Sequence, residues 1–155
     1  FLPLEIRNKV ISYSYSPQPK ELCQDIRSYY GTYTTALTHY NRLTQRGVFG
    51  VPDPEDIDNS PISWLSNDIC RYLNNDIPTM HGYNNFYLGV YQRLYNNKIK
   101  STHDMVSFVT RLDEKLESFS IGTRDITQYI QMTIALLKPT ERDNLMSFIY
   151  SITPI

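Results

Sequence analysis

The residues of this chain with the strongest claim to chemistry are His39, His81 and His103, Cys23 and Cys70, and the acids of RLDEKLE at 111–117. A metal site built on one helix or turn needs a spacing such as Cys-x-x-Cys, His-x-x-x-His or Glu-x-x-His. The three histidines are far apart in sequence and none of these patterns occurs. His39 falls within a helical pattern and reads as a surface or boundary residue, whereas His81 and His103 fall in loop or cap contexts. Cys23 and Cys70 are isolated, so both read as buried thiols of a reducing compartment, with a disulfide as the alternative. A nucleophile elbow of the Gly-x-Ser-x-Gly type is absent, and GVFGV at 47–51 lacks the Lys-Ser/Thr ending of a phosphate loop. Asp113 and Glu117 lie one helical turn apart, but Lys115 between them makes a solvated charged face rather than an acid–base pair. The expectation is a protein with no catalytic, cofactor-binding or metal-binding residue: not an enzyme, and without a cofactor.

Aromatic residues are the remaining signal, with 13 tyrosines in 155 residues. Tyr29, Tyr30, Tyr33 and Tyr40 share one segment, and Tyr83, Tyr87, Tyr91 and Tyr95 recur at every fourth position of another. Such rings either pack at the margin of a core, with their hydroxyls reaching water, or form a surface for a protein partner. Stacking on single-stranded nucleic acid needs interleaved Lys or Arg, and the second tyrosine stripe carries only Arg93. The net charge of −1 and a pI near 6.3 add no basic patch. No nucleic-acid partner and no membrane span are expected, since no apolar run reaches about 18 residues.

The elements that must position these residues are helices. GVFGVPDPEDIDNSP (47–61) replaces helical periodicity with glycine, proline and acids, and NNDIPTMHGYNN (74–85) is a weaker break. Upstream of the first break, Leu22, Ile26, Tyr29, Tyr33, Leu37, Tyr40 and Leu43 recur at steps of three and four, between Pro19 and Gly47. Gly31 is a soft point in this helix, costing about 1 kcal/mol against alanine, where a bend or split is expected. Downstream, Ser60–Pro61 predicts a helix start with Ile62, Leu65, Ile69 and Leu73 inside. Phe86, Val90 and Leu94 form the expected core face of the next helix, with the tyrosine stripe beside it. Thr102 is the expected cap of a helix with Met105, Val109, Leu112, Leu116 and Phe119 inside. Ile126, Ile130, Thr133 and Leu137 define another, and Thr140 with Asp143 predicts a capping box ahead of Leu145, Phe148, Ile149 and Ile152. The fold class is all-α, six to seven helices in an irregular bundle or orthogonal array, organised as an N-terminal helical pair (1–50), an acidic Pro-rich linker (51–60) and a C-terminal bundle (61–155).

The opening FLPLEI, then Val10 and Ile11, then PKELCQDIR at 19–27, resembles the start of an F-box domain. Leu2, Pro3, Ile6, Val10 and Leu22 match that family's apolar positions, and Ile26 fits the following slot. Tyr29 or Tyr30 stands where the family has tryptophan, and the segment to Gly47 lacks its third-helix pattern. The Tyr-, Asn- and Ile-rich composition, with LPLEIRNKVISY and KELCQDIRSYY, is similar to F-box-like proteins of large nucleocytoplasmic DNA viruses. The resemblance implies an intracellular protein of the host cytoplasm or the virion that binds other proteins. Its partners would be neighbouring structural subunits or, alternatively, the linker subunit of an SCF-type ubiquitin ligase. The partner-binding residues expected are Leu2, Pro3, Ile6, Val10 and Leu22, with Tyr83, Tyr87, Tyr91 and Tyr95 as a second face.

Overall fold

The computed structural model describes residues 4–6, 8, 18–48, 60–95, 101–117 and 123–153. Residues 4–6 and 8 are helical. Six longer helices follow: α1 (Lys20–Gln45), α2 (Pro61–Leu73), α3 (Asn85–Gln92), α4 (Thr102–Glu117), α5 (Thr123–Leu136) and α6 (Pro139–Ile152). Short 3-10 turns at Thr79–His81 and Arg93–Tyr95 flank α3. There is no strand among the described residues, and the fold is all-α.

Local chemistry sets the helix starts. The Ser60 hydroxyl accepts from the Ser63 N–H at 3.2 Å and Pro61 takes the first helical position, as the sequence predicts. Asn84 caps α3 by accepting from the Tyr87 N–H at 2.8 Å. Two caps differ from expectation. Ser101, not Thr102, caps α4: its hydroxyl accepts from the Asp104 N–H at 3.1 Å and donates to the Asp104 carboxylate at 2.7 Å. At α6 the cap residue is Lys138, because Pro139 occupies the first turn and Glu141 reaches back to the Lys138 N–H at 2.7 Å. The expected Thr140–Asp143 box lies two residues too late. Gly31 does not break α1, which runs as one helix of 26 residues. That helix leaves through Gly47, whose φ of +68° suits the left-handed exit.

Ala36, Tyr40 and Leu43 of α1 belong to the same buried cluster as Leu65, Ile69 and Leu73 of α2, Val90 of α3, Val109 of α4, Ile130 and Ile134 of α5 and Leu145 and Ile149 of α6. The helices on either side of 51–60 therefore share one core; of that segment only Ser60 is among the described residues. The α5 seam of Ile126, Ile130, Thr133 and Leu137 is buried as predicted. Met105 and Val109 of α4 are buried too, while the side chains of Leu112 and Leu116, and all of Phe119, lie outside the described residues. The α1 seam is met at Tyr40 and Leu43, and upstream of them Tyr29, Tyr33 and Leu37 are half-buried. Its buried residues are Thr32, Ala36, His39, Tyr40 and Leu43, while Leu22 and Ile26 are exposed.

Candidate interaction surface

Leu22, Ile26 and Tyr30 stand at four-residue steps, so their side chains line one ridge on the N-terminal half of α1. They are 43%, 44% and 60% exposed. Leu4 and Ile6, on the helical residues ahead of α1, are also exposed, Ile6 at 47%. Charged residues border the ridge. Lys20 and Arg27 lie on one side and Glu21 and Asp25 on the other, as their spacings of two turns and one turn dictate.

The ridge is fixed to the body by Arg142, which is 1% exposed. Its guanidinium donates to the Ile134 carbonyl at 2.9 Å, the Ala135 carbonyl at 3.2 Å, the Asp25 carbonyl at 3.0 Å and the Asp25 carboxylate at 2.6 Å. It also lies 5.9 Å from the ring centroid of Tyr29. A cation in the first turn of α6 opposes that helix's dipole, but the same cation sits at the C-terminal end of α5, where carbonyls point outward and the dipole favours it. Arg93 completes this end. It donates to the Leu136 carbonyl at 2.7 Å and makes a two-pronged pair with Glu141 at 2.6 and 2.7 Å. The Arg93 hydrogen bonds hold the Glu141 carboxyl below its ordinary range, while burial opposes the shift.

Two residues of the second expected face are interior. Tyr87 and Tyr91 are fully buried; of the expected core residues Val90 is fully buried, Phe86 half-buried and Leu94 exposed. The core of α3 thus extends from Val90 onto Tyr87 and Tyr91, and these two rings offer no surface to a partner. Their rings pack tilted against one another in sequence, Tyr83 to Tyr87 at 5.0 Å and Tyr87 to Tyr91 at 5.3 Å between centroids. Burial is tolerated because the hydroxyls have partners. Tyr91 shares a hydrogen bond with Thr133 at 2.9 Å, and Tyr129 on α5 pairs with Cys70 at 3.1 Å. Burial pushes the Tyr129 phenol far above its usual pKa. Tyr83 is half-buried. The Tyr95 side chain lies outside the described residues, as do Leu2, Pro3 and Val10.

Cys23 and Cys70 are not joined in a disulfide, and both are partly buried. His39 is not a boundary residue: it is 4% exposed, with Nε2 2.7 Å from the Thr153 hydroxyl. Tyr40 is also buried and donates to the Asp68 carboxylate, which Arg71 holds from the other side at 2.9 Å. Burial, then the Asp68 contact, drives the Tyr40 phenol upward. Asn74, fully buried, organises the 74–84 loop by donating to the Ile77 and Gly82 carbonyls and accepting from the Asn84 N–H. The loop carries Ile77 and Met80 exposed, Met80 at 84%.

Of these polar anchors, Arg142 carried a signal in the sequence. It stands three residues before Leu145 and seven before Ile149, on the buried stripe of α6, where a charge demands a partner. Asp25 and Thr153 carry no such mark, because their partners are distant in sequence.

No group of three or more His, Cys, Asp or Glu able to hold a metal ion is found among the described residues. None of the described helices is long and apolar enough to cross a membrane. No family model, no curated protein and no solved structure matches the chain.

Proposed function

We propose that this chain is a non-enzymatic protein–protein interaction protein that docks through the ridge on the N-terminal half of α1, serving as a structural or scaffolding component of a large DNA virus. The observation that carries the docking surface is the exposure of Leu22, Ile26 and Tyr30 in line on a helix anchored by buried Arg142. A contiguous apolar ridge with charged borders matches the core-and-rim composition of protein interfaces. Two copies laid antiparallel across it would set Lys20 and Arg27 against their own kind, so the ridge suits a helix with the opposite arrangement of charged edges. The viral, virion-associated part of the proposal rests on the resemblance in sequence.

The second reading is an F-box-type adaptor of a ubiquitin ligase. The exposure of Ile6 and Leu22 favours it, since the described helices leave both side chains accessible. Affinity purification from producing cells with quantitative mass spectrometry separates the two. Enrichment of virion proteins, lost on Leu22→Asp/Ile26→Asp substitution and unaffected by ligase depletion, supports scaffolding. Enrichment of the ligase linker and cullin, lost on Ile6→Ala/Leu22→Ala substitution, supports the adaptor. Equal recovery of every partner by wild type and variants refutes docking through this surface.

A further inference from the structure

We propose that His39 is an acid-sensitive latch that holds the last turn of α6 against α1 at neutral pH and releases it when the imidazole gains a second proton. The geometry fixes the proton positions. The Thr153 hydroxyl donates to the Ile149 carbonyl at 2.6 Å, so its oxygen can only accept from His39 at 2.7 Å. Neutral His39 therefore carries its proton on Nε2, and an added proton must go to Nδ1.

The surroundings oppose that second proton. His39 is 4% exposed and its ring meets Tyr40 and Tyr150 edge to face, with centroids 5.8 and 5.1 Å away. The groups facing it are Arg42 and Tyr40 on α1, and Tyr150 and Thr153 on or beside α6. The Asp68 carboxylate of α2 approaches through Tyr40, where that hydroxyl and Arg71 already occupy it. Burial and the Arg42 charge both lower the His39 pKa, and the Thr153 contact only partly offsets them.

The sign follows from linkage. A base whose folded pKa is depressed stabilises the closed form at pH above its unfolded value, near 6.5. That stabilisation is lost as the pH falls through the folded value. A helix end opens at low cost, so the last turn of α6 releases before the body unfolds. Opening uncovers Ile149 and the α1 face around His39, adding an apolar surface at the end of α1 opposite the exposed ridge.

The test is amide hydrogen exchange across residues 145–153 between pH 7.5 and pH 5, corrected for intrinsic rates, beside an NMR titration of the His39 ring. Exchange should accelerate on acidification by about tenfold for each unit separating the open-state and closed-state pKa values. His39→Gln, whose amide can still donate to Thr153 but does not titrate, should abolish the acceleration. Acceleration of the same size in His39→Gln, or a His39 pKa at or above the unperturbed value, overturns the latch. If the variant does not fold, the wild-type ring titration and exchange profile decide by whether their midpoints coincide.

Discussion

Replacing Arg142 with alanine removes the donor for three backbone carbonyls, those of Ile134, Ala135 and Asp25. Ile134 keeps the Leu137 N–H at 3.3 Å and Asp25 keeps its donor within α1, so the Ala135 carbonyl is the one left short, at about 1 kcal/mol or more, and the alkyl stem loses its packing as well. With the lost charged hydrogen bonds, the sum is a loss of about 2–4 kcal/mol. Asp25 behaves differently because its side chain is 47% exposed. Asp25→Ala takes the counter-charge from a guanidinium that keeps its carbonyl partners, and the expected cost is about 1–2 kcal/mol. Once Arg142 is gone, the Asp25 carboxylate is free to hydrate and contributes nothing more. The double variant should then cost the same as Arg142→Ala alone. Urea unfolding followed by circular dichroism, arranged as a double-mutant cycle, measures all three values. Arg142→Met should recover the stem's packing but not the donors, landing between wild type and alanine. A loss below about 1 kcal/mol for Arg142→Ala, or a double variant equal to the sum of the singles, refutes this account of the anchor.

Glu141 has a depressed folded pKa, caused first by Arg93, so its stabilising effect is present above its unfolded value of 4.5 and is lost as pH falls through the lower folded value. Glu141→Gln should flatten the acid limb of stability measured by urea titrations between about pH 3 and pH 6, and an unchanged limb counts against the clip. A Cβ added at Gly31 meets nothing within 4 Å in a continuous helix, so Gly31→Ala should raise stability by about 0.5–1 kcal/mol in thermal or urea melts. Asn74→Ala leaves the Ile77 and Gly82 carbonyls and the Asn84 N–H without their partner, at a cost of about 2–4 kcal/mol. The same change should open the 75–83 loop to limited proteolysis, and equal cleavage of variant and wild type would show that the loop is held by other means.

The helices were legible in the sequence wherever one residue type had one role. Ser60–Pro61 announces a helix start by chemistry that no tertiary contact alters, and the α5 seam is apolar at every turn except Thr133. Tyrosine defeats this kind of reading, since the same side chain serves core and margin. Which role Tyr87 and Tyr91 take is settled by partners on other helices, as Thr133 for Tyr91 and Cys70 near Tyr87 and Tyr129 show. The α1 seam holds at Tyr40 and Leu43, but upstream the buried positions are Thr32 and Ala36 and the seam stops short of Ile26. Its N-terminal half is held by a polar anchor, Arg142, rather than by apolar burial, so hydrophobic spacing pointed to Leu22 and Ile26 as interior. His39 was misplaced for a related reason: its burial depends on a threonine 114 residues away. The candidate surface was legible in part, through Ile6 and Leu22, and the ridge completed by Tyr30 emerged only once α1 was seen to be uncovered there.

The contacts that close α1 onto α6 join residues 117 and 114 positions apart, Asp25 with Arg142 and His39 with Thr153. During vectorial synthesis at about 5–20 residues per second, α1 leaves the ribosome seconds before its final cover exists. Ala36, Tyr40 and Leu43 can meet α2 early, with Asp68 taking the Tyr40 hydroxyl, but the side of α1 that α6 covers waits beside an already exposed ridge. The nascent chain is therefore a natural client for holding chaperones until α6 emerges, and synonymous codons that slow translation between α1 and α6 should lengthen that exposure without altering the finished fold.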